Sequence, residues 1–244
     1  FMENLNKEFN GKLSIAIKIF NNSYPKKFLH QLVSSQLDMD RLDYLKRDSF
    51  FSGVTEGNIG TERIINMLNV VNDKLVIEEK GIYSIEKFLI ARRLMYWQVY
   101  LHKTVVSAEN MLIKVLNRAK MLILNHKKIF TTPALQKFLE NNYNIKDFAK
   151  TPSLLNDFAE LDDIDIYTCL KEWKKDQDFV LSNLSQRIIN RNILKVKIVK
   201  EPISAKEINK QINIFCKQHK CSLDEAKFFI FSHEISNSTY NIEE

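Results

Sequence analysis

Glycine, proline and cysteine are all scarce in this sequence of 244 residues, which has five Gly, four Pro and three Cys. So few turn formers beside long apolar-periodic stretches exclude a turn-rich all-β chain and point to a mostly helical one. Cys169, Cys216 and Cys221 are too few and too scattered for a disulfide framework, so a reducing compartment is expected. No apolar run approaches the roughly 20 residues needed to span a bilayer. Phe1-Met2-Glu3-Asn4 has no signal-peptide architecture. A cytoplasmic protein without a membrane partner is the expectation. The His-Asp dipeptide is absent as well.

What is present is enough apolar material for a core, 45% hydrophobic residues, in one large domain or two small ones. The net charge of +6 suits an anionic partner. Because the 36 basic and 30 acidic residues are interspersed, that charge describes a solvated mixed surface before it describes a function.

The fold class expected is mainly α, a helical body with a short β-hairpin and a small C-terminal α/β appendage. Leu13, Ile17 and Phe20 mark one helical stripe, stopped by Ser23-Tyr24-Pro25, and Phe28, Leu29, Leu32 and Val33 mark the next. A helix is expected from Asp38 to Phe51, ended by Gly53, then a loop with Gly57 and Gly60 and a short helix over 61–68. Asn69–Glu79 reads as two short strands around Asn72-Asp73. With Ser84 as N-cap, a helical pattern continues to about residue 125, as one central helix or two joined end to end. Thr132-Pro133 and Thr151-Pro152 start further helices, followed by others at about 164–175 and 178–189. Leu194–Val199 alternates with period two, as a half-buried strand does; Ser204–Lys217 reads as helix, and Phe228–Phe231 and Tyr240–Glu244 as strand. The expected division is a helical body over 1–190 and a small, incomplete α/β region over 191–244.

Two constellations carry chemistry. On the helix from Asp38, Leu37, Leu42 and Leu45 can face a core, while Asp40, Tyr44 and Asp48 recur at i, i+4 and i+8 and share another face. Two carboxylates flanking a phenol on one stripe repel each other unless a cation or hydroxylated ligand lies between them. From composition alone, the plainer reading is a solvated face paired with Arg41, Lys46 and Arg47. On the long helix, Arg92, Tyr96 and Tyr100 repeat the spacing, with His102 and Lys103 beyond. A guanidinium, two phenols and an ammonium along one groove suit a phosphate chain and a flat base or sugar. The competing reading is an aromatic core stripe of Tyr96, Trp97 and Tyr100 with Arg92 snorkelling to solvent.

Asp38-Met39-Asp40-Arg41-Leu42-Asp43-Tyr44-Leu45-Lys46-Arg47-Asp48 resembles the Asp-x-Asp-(Arg/Lys)-x-Asp-Tyr-x-x-Arg-Asp signature of HD-superfamily deoxynucleoside triphosphate triphosphohydrolases and their relatives. Arg92 with Tyr100-Leu101-His102-Lys103 resembles the Arg…Tyr-x-His-Lys element of a later helix, and Arg191-Asn192-Ile193-Leu194-Lys195 the turn opening that family's C-terminal region. The resemblance covers about residues 1–125 and thins beyond. It implies a partial HD-type helical body and a metal-dependent phosphohydrolase of nucleotides, with (deoxy)nucleoside triphosphates as substrate. It makes Asp40 a metal ligand, Arg41, Arg92 and Lys103 phosphate contacts, and Tyr44, Asp48 and Tyr100 sugar contacts, with Tyr96 and His102 alongside. Leu101 replaces a family Gln, and Tyr96 stands where His is common, so which nucleotide is bound stays open.

An HD site binds its divalent metal through His, a His-Asp pair and a distant Asp, and one carboxylate cannot hold a catalytic ion. The metal (Mg, Mn, Fe, Ni, Co or Zn) is therefore expected to be absent from this chain, and the chain alone inactive. In the family, the His and His-Asp elements precede the part matching residues 1–35, so a fragment of a longer protein is expected. The alternative is a catalytically silent HD-type module that binds nucleotide or, less favoured, nucleic acid. Self-association into a homo-oligomer stays open. Cys216-Lys217-Gln218-His219-Lys220-Cys221 lacks the second ligand pair of a metal knuckle and reads as ordinary helix and loop.

Overall fold

Helix propensity and apolar spacing are realised as fourteen α-helices among the described residues of the computed structural model, which are residues 1–235. The chain divides into two compact units, Phe1–His102 and Lys103–Glu234. No helix among the described residues is long and apolar enough to cross a membrane.

The first unit contains α1 (Met2–Glu8), α2 (Ser14–Phe20), α3 (Lys27–Val33), α4 (Met39–Ser52), α5 (Thr61–Asn66), β1 (Leu68–Val71), β2 (Lys74–Ile77) and α6 (Ile82–Met95). Asp38 caps α4 by accepting from the Arg41 amide at 2.8 Å, and Gly53 ends it at φ 72°, the left-handed region glycine enters without a Cβ penalty. The hairpin is antiparallel, pairing Leu68 with Ile77 and Val71 with Lys74. Asn72 and Asp73 take φ of 50° and 60°, as a two-residue turn matched to the strand twist requires. It is tied to α3 where the Asp73 carboxylate accepts from the Lys27 amide (2.9 Å) and Gln31 Oε1 from the Leu75 amide (2.8 Å). Leu42 and Leu45 of α4 pack with Ile59, Ile64, Phe88, Ala91 and Met95, and Leu37 lies against that core.

The second unit contains α7 (Lys103–Leu124), α8 (Pro133–Glu140), α9 (Ile145–Lys150), α10 (Pro152–Glu160), α11 (Asp163–Trp173), α12 (Phe179–Ile189), α13 (Ala205–His219) and α14 (Leu223–Ala226). Met111, Val115, Leu170, Trp173, Val180, Leu181 and Leu184 form its core. Trp173 donates its indole N–H to the Phe130 carbonyl at 2.7 Å, which satisfies the one polar atom of that buried ring.

Several expectations are corrected. Helix α6 starts at Ile82, after a buried Gly81, so Ser84 lies inside it rather than capping it. Leu194–Val199 forms no strand: Leu194 accepts from Ser107 Oγ at 2.9 Å, and among the described residues no strand pairs with the segment. Leu194 and Val196 are half-buried, but Ile198 is 68% exposed, so the apolar alternation is not matched by alternating burial along the whole segment. Phe228–Phe231 is turn and irregular chain after α14. The described part of the C-terminal region, 191–235, is therefore helical with irregular segments, and β1 and β2 are the strands among the described residues. Tyr240–Glu244 lies outside them.

Candidate functional site

The first unit sets α4 against α6 through one close approach. Gly57 is buried, and a Cβ there would meet Met95 Sδ at 2.7 Å and Ser49 Cβ at 2.8 Å. Ser49, buried on α4, donates to the Val54 carbonyl at 2.7 Å and closes the same loop. Gly57→Val should therefore push the two helices apart and cost about 1–3 kcal/mol, as overpacking does. A urea midpoint equal to wild type would show that the approach is slack.

That pairing brings the two stripes together. Tyr100 Oη donates to Asp48 Oδ2 at 2.6 Å, and the Tyr44 and Tyr100 rings meet edge to face at 6.0 Å. Tyr96 meets Tyr100 in the same way at 5.2 Å. The Arg92 guanidinium lies 5.6 Å from the Tyr96 ring centroid and hydrogen-bonds to both Tyr96 and Tyr44. Arg92 is only 8% exposed, so it does not snorkel out, whereas Trp97 is 54% exposed and forms no part of a core stripe. Tyr44, Asp48, Arg92, Tyr96 and Tyr100 thus form one contiguous cluster on α4, α6 and the turn that follows.

That turn is not α-helix. Residues Tyr96–Tyr100 form a π-helical segment, closed by the Leu101 amide on the Tyr96 carbonyl at 2.7 Å. The sequence spacing assumed an unbroken α stripe. Such π segments shift the residues after them relative to the preceding helix and recur at functional sites.

The electrostatics follow from partial burial around one cation. Burial, with the neighbouring Tyr96, raises the Tyr44 phenol above its ordinary range, against the pull of Arg92 and Arg41. Burial first, then the Asp48 carboxylate it donates to, pushes Tyr100 far up, so it remains a hydrogen-bond donor at neutral pH. Burial opposes the Arg92 charge, but its bonds to Tyr96 and Tyr44 and their proximity prevail and raise its pKa. The cluster therefore offers a fixed guanidinium, phenol hydroxyls and one carboxylate, a set able to bind phosphate oxygens and sugar hydroxyls.

The remaining expected residues lie differently. Asp40 is exposed in the first turn of α4, at the start of the stripe that continues through Tyr44 and Asp48. Arg41 folds back, pairing with the buried Asp38 carboxylate and donating to the Ser35 carbonyl. Asp38, given no role by the sequence reading, is thus the anchor of this segment, and also accepts from the Ser35 amide at 3.1 Å. Its signal was available: an Asp directly before an apolar-periodic run is a capping residue. Arg47 pairs with Asp43 on the exposed face. His102 is exposed at the end of the first unit, and Lys103 opens α7 in the second. Among the described residues, no three His, Cys, Asp or Glu side chains gather where they could hold a metal ion. A divalent ion is general to HD phosphohydrolases, but the described residues of this chain do not by themselves fit it.

Residues 59–138 match the family model described as HD associated region. A solved phosphohydrolase from Bacteroides thetaiotaomicron is 58% identical and superposes with a TM-score of 0.90, covering 93% of this chain and 56% of that one. The uncharacterized protein YwfO of Bacillus subtilis is 36% identical over 72% of this chain and 39% of its own length. A Dictyostelium discoideum protein named deoxynucleoside triphosphate triphosphohydrolase SAMHD1 homolog is 26% identical over 40% of this chain and 20% of its own length. The chain thus spans 39% of the Bacillus relative and 56% of the solved phosphohydrolase. These similarities support an HD-superfamily relationship and do not single out a branch within it.

Proposed function

We propose that this chain supplies the nucleotide-gripping side of an HD-type phosphohydrolase whose substrates are (deoxy)nucleoside triphosphates. The observation that carries this reading is the cluster itself: Arg92 held by Tyr44 and Tyr96, beside a Tyr100 that donates to Asp48. Similarity to a solved phosphohydrolase supports the reaction class, and the name of the Dictyostelium relative supports the choice of substrate. In this reading Arg92 neutralises charge on a phosphate, and its phenol partners fix the direction of its donors before substrate arrives. Tyr44 presents a ring edge, and Asp48 with Tyr100 offers an acceptor and a donor to sugar hydroxyls. Asp40, exposed at the head of the stripe, is the one carboxylate proposed as a ligand to a divalent ion.

The test is phosphate and polyphosphate release by the full-length protein, with Mn²⁺ or Mg²⁺, across a panel of deoxy- and ribonucleoside triphosphates. Turnover of at least one nucleotide is the expected result. Saturable nucleotide binding with no release from any of them would overturn the enzyme reading in favour of a silent binding module.

A further inference from the structure

The second unit holds a feature that nucleotide chemistry does not use. Helix α13 ends at Lys220, whose φ of 53° is left-handed without being glycine. The Cys216 carbonyl accepts from the Lys220 amide and, at 3.3 Å, from the Cys221 amide. This is the C-terminal motif in which the residues on either side of the left-handed cap bring their side chains together, ordinarily as an apolar contact. Here both residues of that contact are cysteines.

The Cys216 thiol reaches past the cap to donate to the carbonyl of Ser222, the residue directly after Cys221, at 3.4 Å. Cys216 and Cys221 are both partly exposed, whereas the third cysteine, Cys169, is buried in the core. A metal would need further ligands, and among the described residues no group of three His, Cys, Asp or Glu gathers there. What two adjacent, accessible thiols can do without a third partner is oxidise to a disulfide.

We propose that Cys216 and Cys221 form a reversible intrachain disulfide, a redox-sensitive staple across the C-terminal cap of α13. The oxidant is a small-molecule disulfide. A thiolate of the pair attacks one of its sulfurs, forming a mixed disulfide and releasing one small thiol. The second protein thiol, losing its proton, then attacks the first cysteine's own sulfur in that mixed disulfide, forming the protein disulfide and releasing the other small thiol. Two protein thiols and one small disulfide become one protein disulfide and two small thiols, and the reverse exchange restores the pair.

The staple also holds the chain entering α14, whose N-cap, Ser222, follows Cys221 directly. Oxidation thus fixes the turn between the two helices, at the point where the Cys216 carbonyl already gathers both amides.

The experiment incubates the full-length protein with oxidised or reduced glutathione, blocks free thiols, digests with trypsin and measures peptide masses. Lys217 and Lys220 separate the two cysteines into different tryptic peptides, so a disulfide appears as a linked pair that reductant splits. The expected result is that linked pair, lighter by two hydrogens than the sum of the free peptides, with Cys169 recovered as a blocked thiol. Cys216→Ser and Cys221→Ser should each abolish it and leave a glutathione adduct on the remaining cysteine. Hydrogen exchange of the Lys220 and Cys221 amides should slow in the oxidised wild type and not in either variant. Glutathione adducts on both wild-type cysteines without a linked pair, or linkage between separate chains, would overturn the proposal. So would a linked pair that leaves amide exchange unchanged, since then the disulfide would not staple the cap.

Discussion

Arg92→Ala should lower kcat/KM of the full-length protein for its preferred nucleoside triphosphate by roughly ten- to a hundred-fold, against a few-fold at most for Arg47→Ala. The two arginines differ in what holds them. Arg92 is buried and bound to Tyr44 and Tyr96, so its donors are fixed before a ligand arrives. A charge-assisted hydrogen bond to a phosphate is worth about 1.5–3 kcal/mol, which the exponential relation between barrier and rate turns into that range. Arg47 sits on the exposed face of α4, paired with Asp43 four residues before it. Such a pair contributes about 0–1 kcal/mol. Because Arg92 also packs, the decisive comparison is binding of the triphosphate against the bare nucleoside. Arg92→Ala should weaken the first and spare the second. Equal loss for both ligands, or equal loss from the two substitutions, would remove Arg92 from the phosphate-binding role.

The largest stability effect is expected at Arg118 and Asp178, in the second unit. Arg118 donates through Nε and Nη2 to the two Asp178 oxygens at 3.0 and 2.6 Å, with side chains 15% and 8% exposed. Removing one member of a buried pair leaves the other charge uncompensated, so Arg118→Ala should cost about 3–5 kcal/mol near neutral pH. Burial by itself would raise the Asp178 carboxyl, but the Arg118 hydrogen bonds, with the Leu181 amide, outweigh it and hold the carboxyl below its ordinary range. Since the folded pKa lies below the unfolded value of about 3.9, this stabilisation is complete above that pH. It is lost as pH falls through the folded pKa.

Asp178 also caps α12, and asparagine caps a helix equally well, so Asp178→Asn removes the charge while keeping the cap. Urea unfolding in a Trp97→Phe background would follow the buried Trp173 and so report on the second unit. The gap between wild type and Asp178→Asn should close as pH drops below about 4. A gap of constant size would assign the effect to packing instead of to the ion pair.

Local signals were strong enough to place most helices and the hairpin from sequence. Asp38 and Gly53 bound α4, Pro133 and Pro152 open α8 and α10, Ser204 caps α13, and Asn72-Asp73 makes the hairpin turn. Each acts within a few residues, through a capping bond, a missing N–H or a tolerated positive φ, and so is legible without the rest of the chain. The stripe of Asp40, Tyr44 and Asp48 was legible for the same reason, because helical spacing is local.

Everything that depends on a partner far along the chain was decided by tertiary structure. Leu194–Val199 has the period of a strand and, among the described residues, no ladder, because alternation in sequence does not supply a neighbour to bond to. The π segment at Tyr96–Tyr100, which accompanies the Tyr100 bond to Asp48 across 52 residues, leaves no mark in spacing. Arg92 reads equally well as a snorkelling or a buried cation until Tyr44 is found beside it. The sequence by itself determined which faces carry polar chemistry. Only the packing of α4 on α6, permitted at Gly57 by the missing Cβ, decided that two of those faces meet.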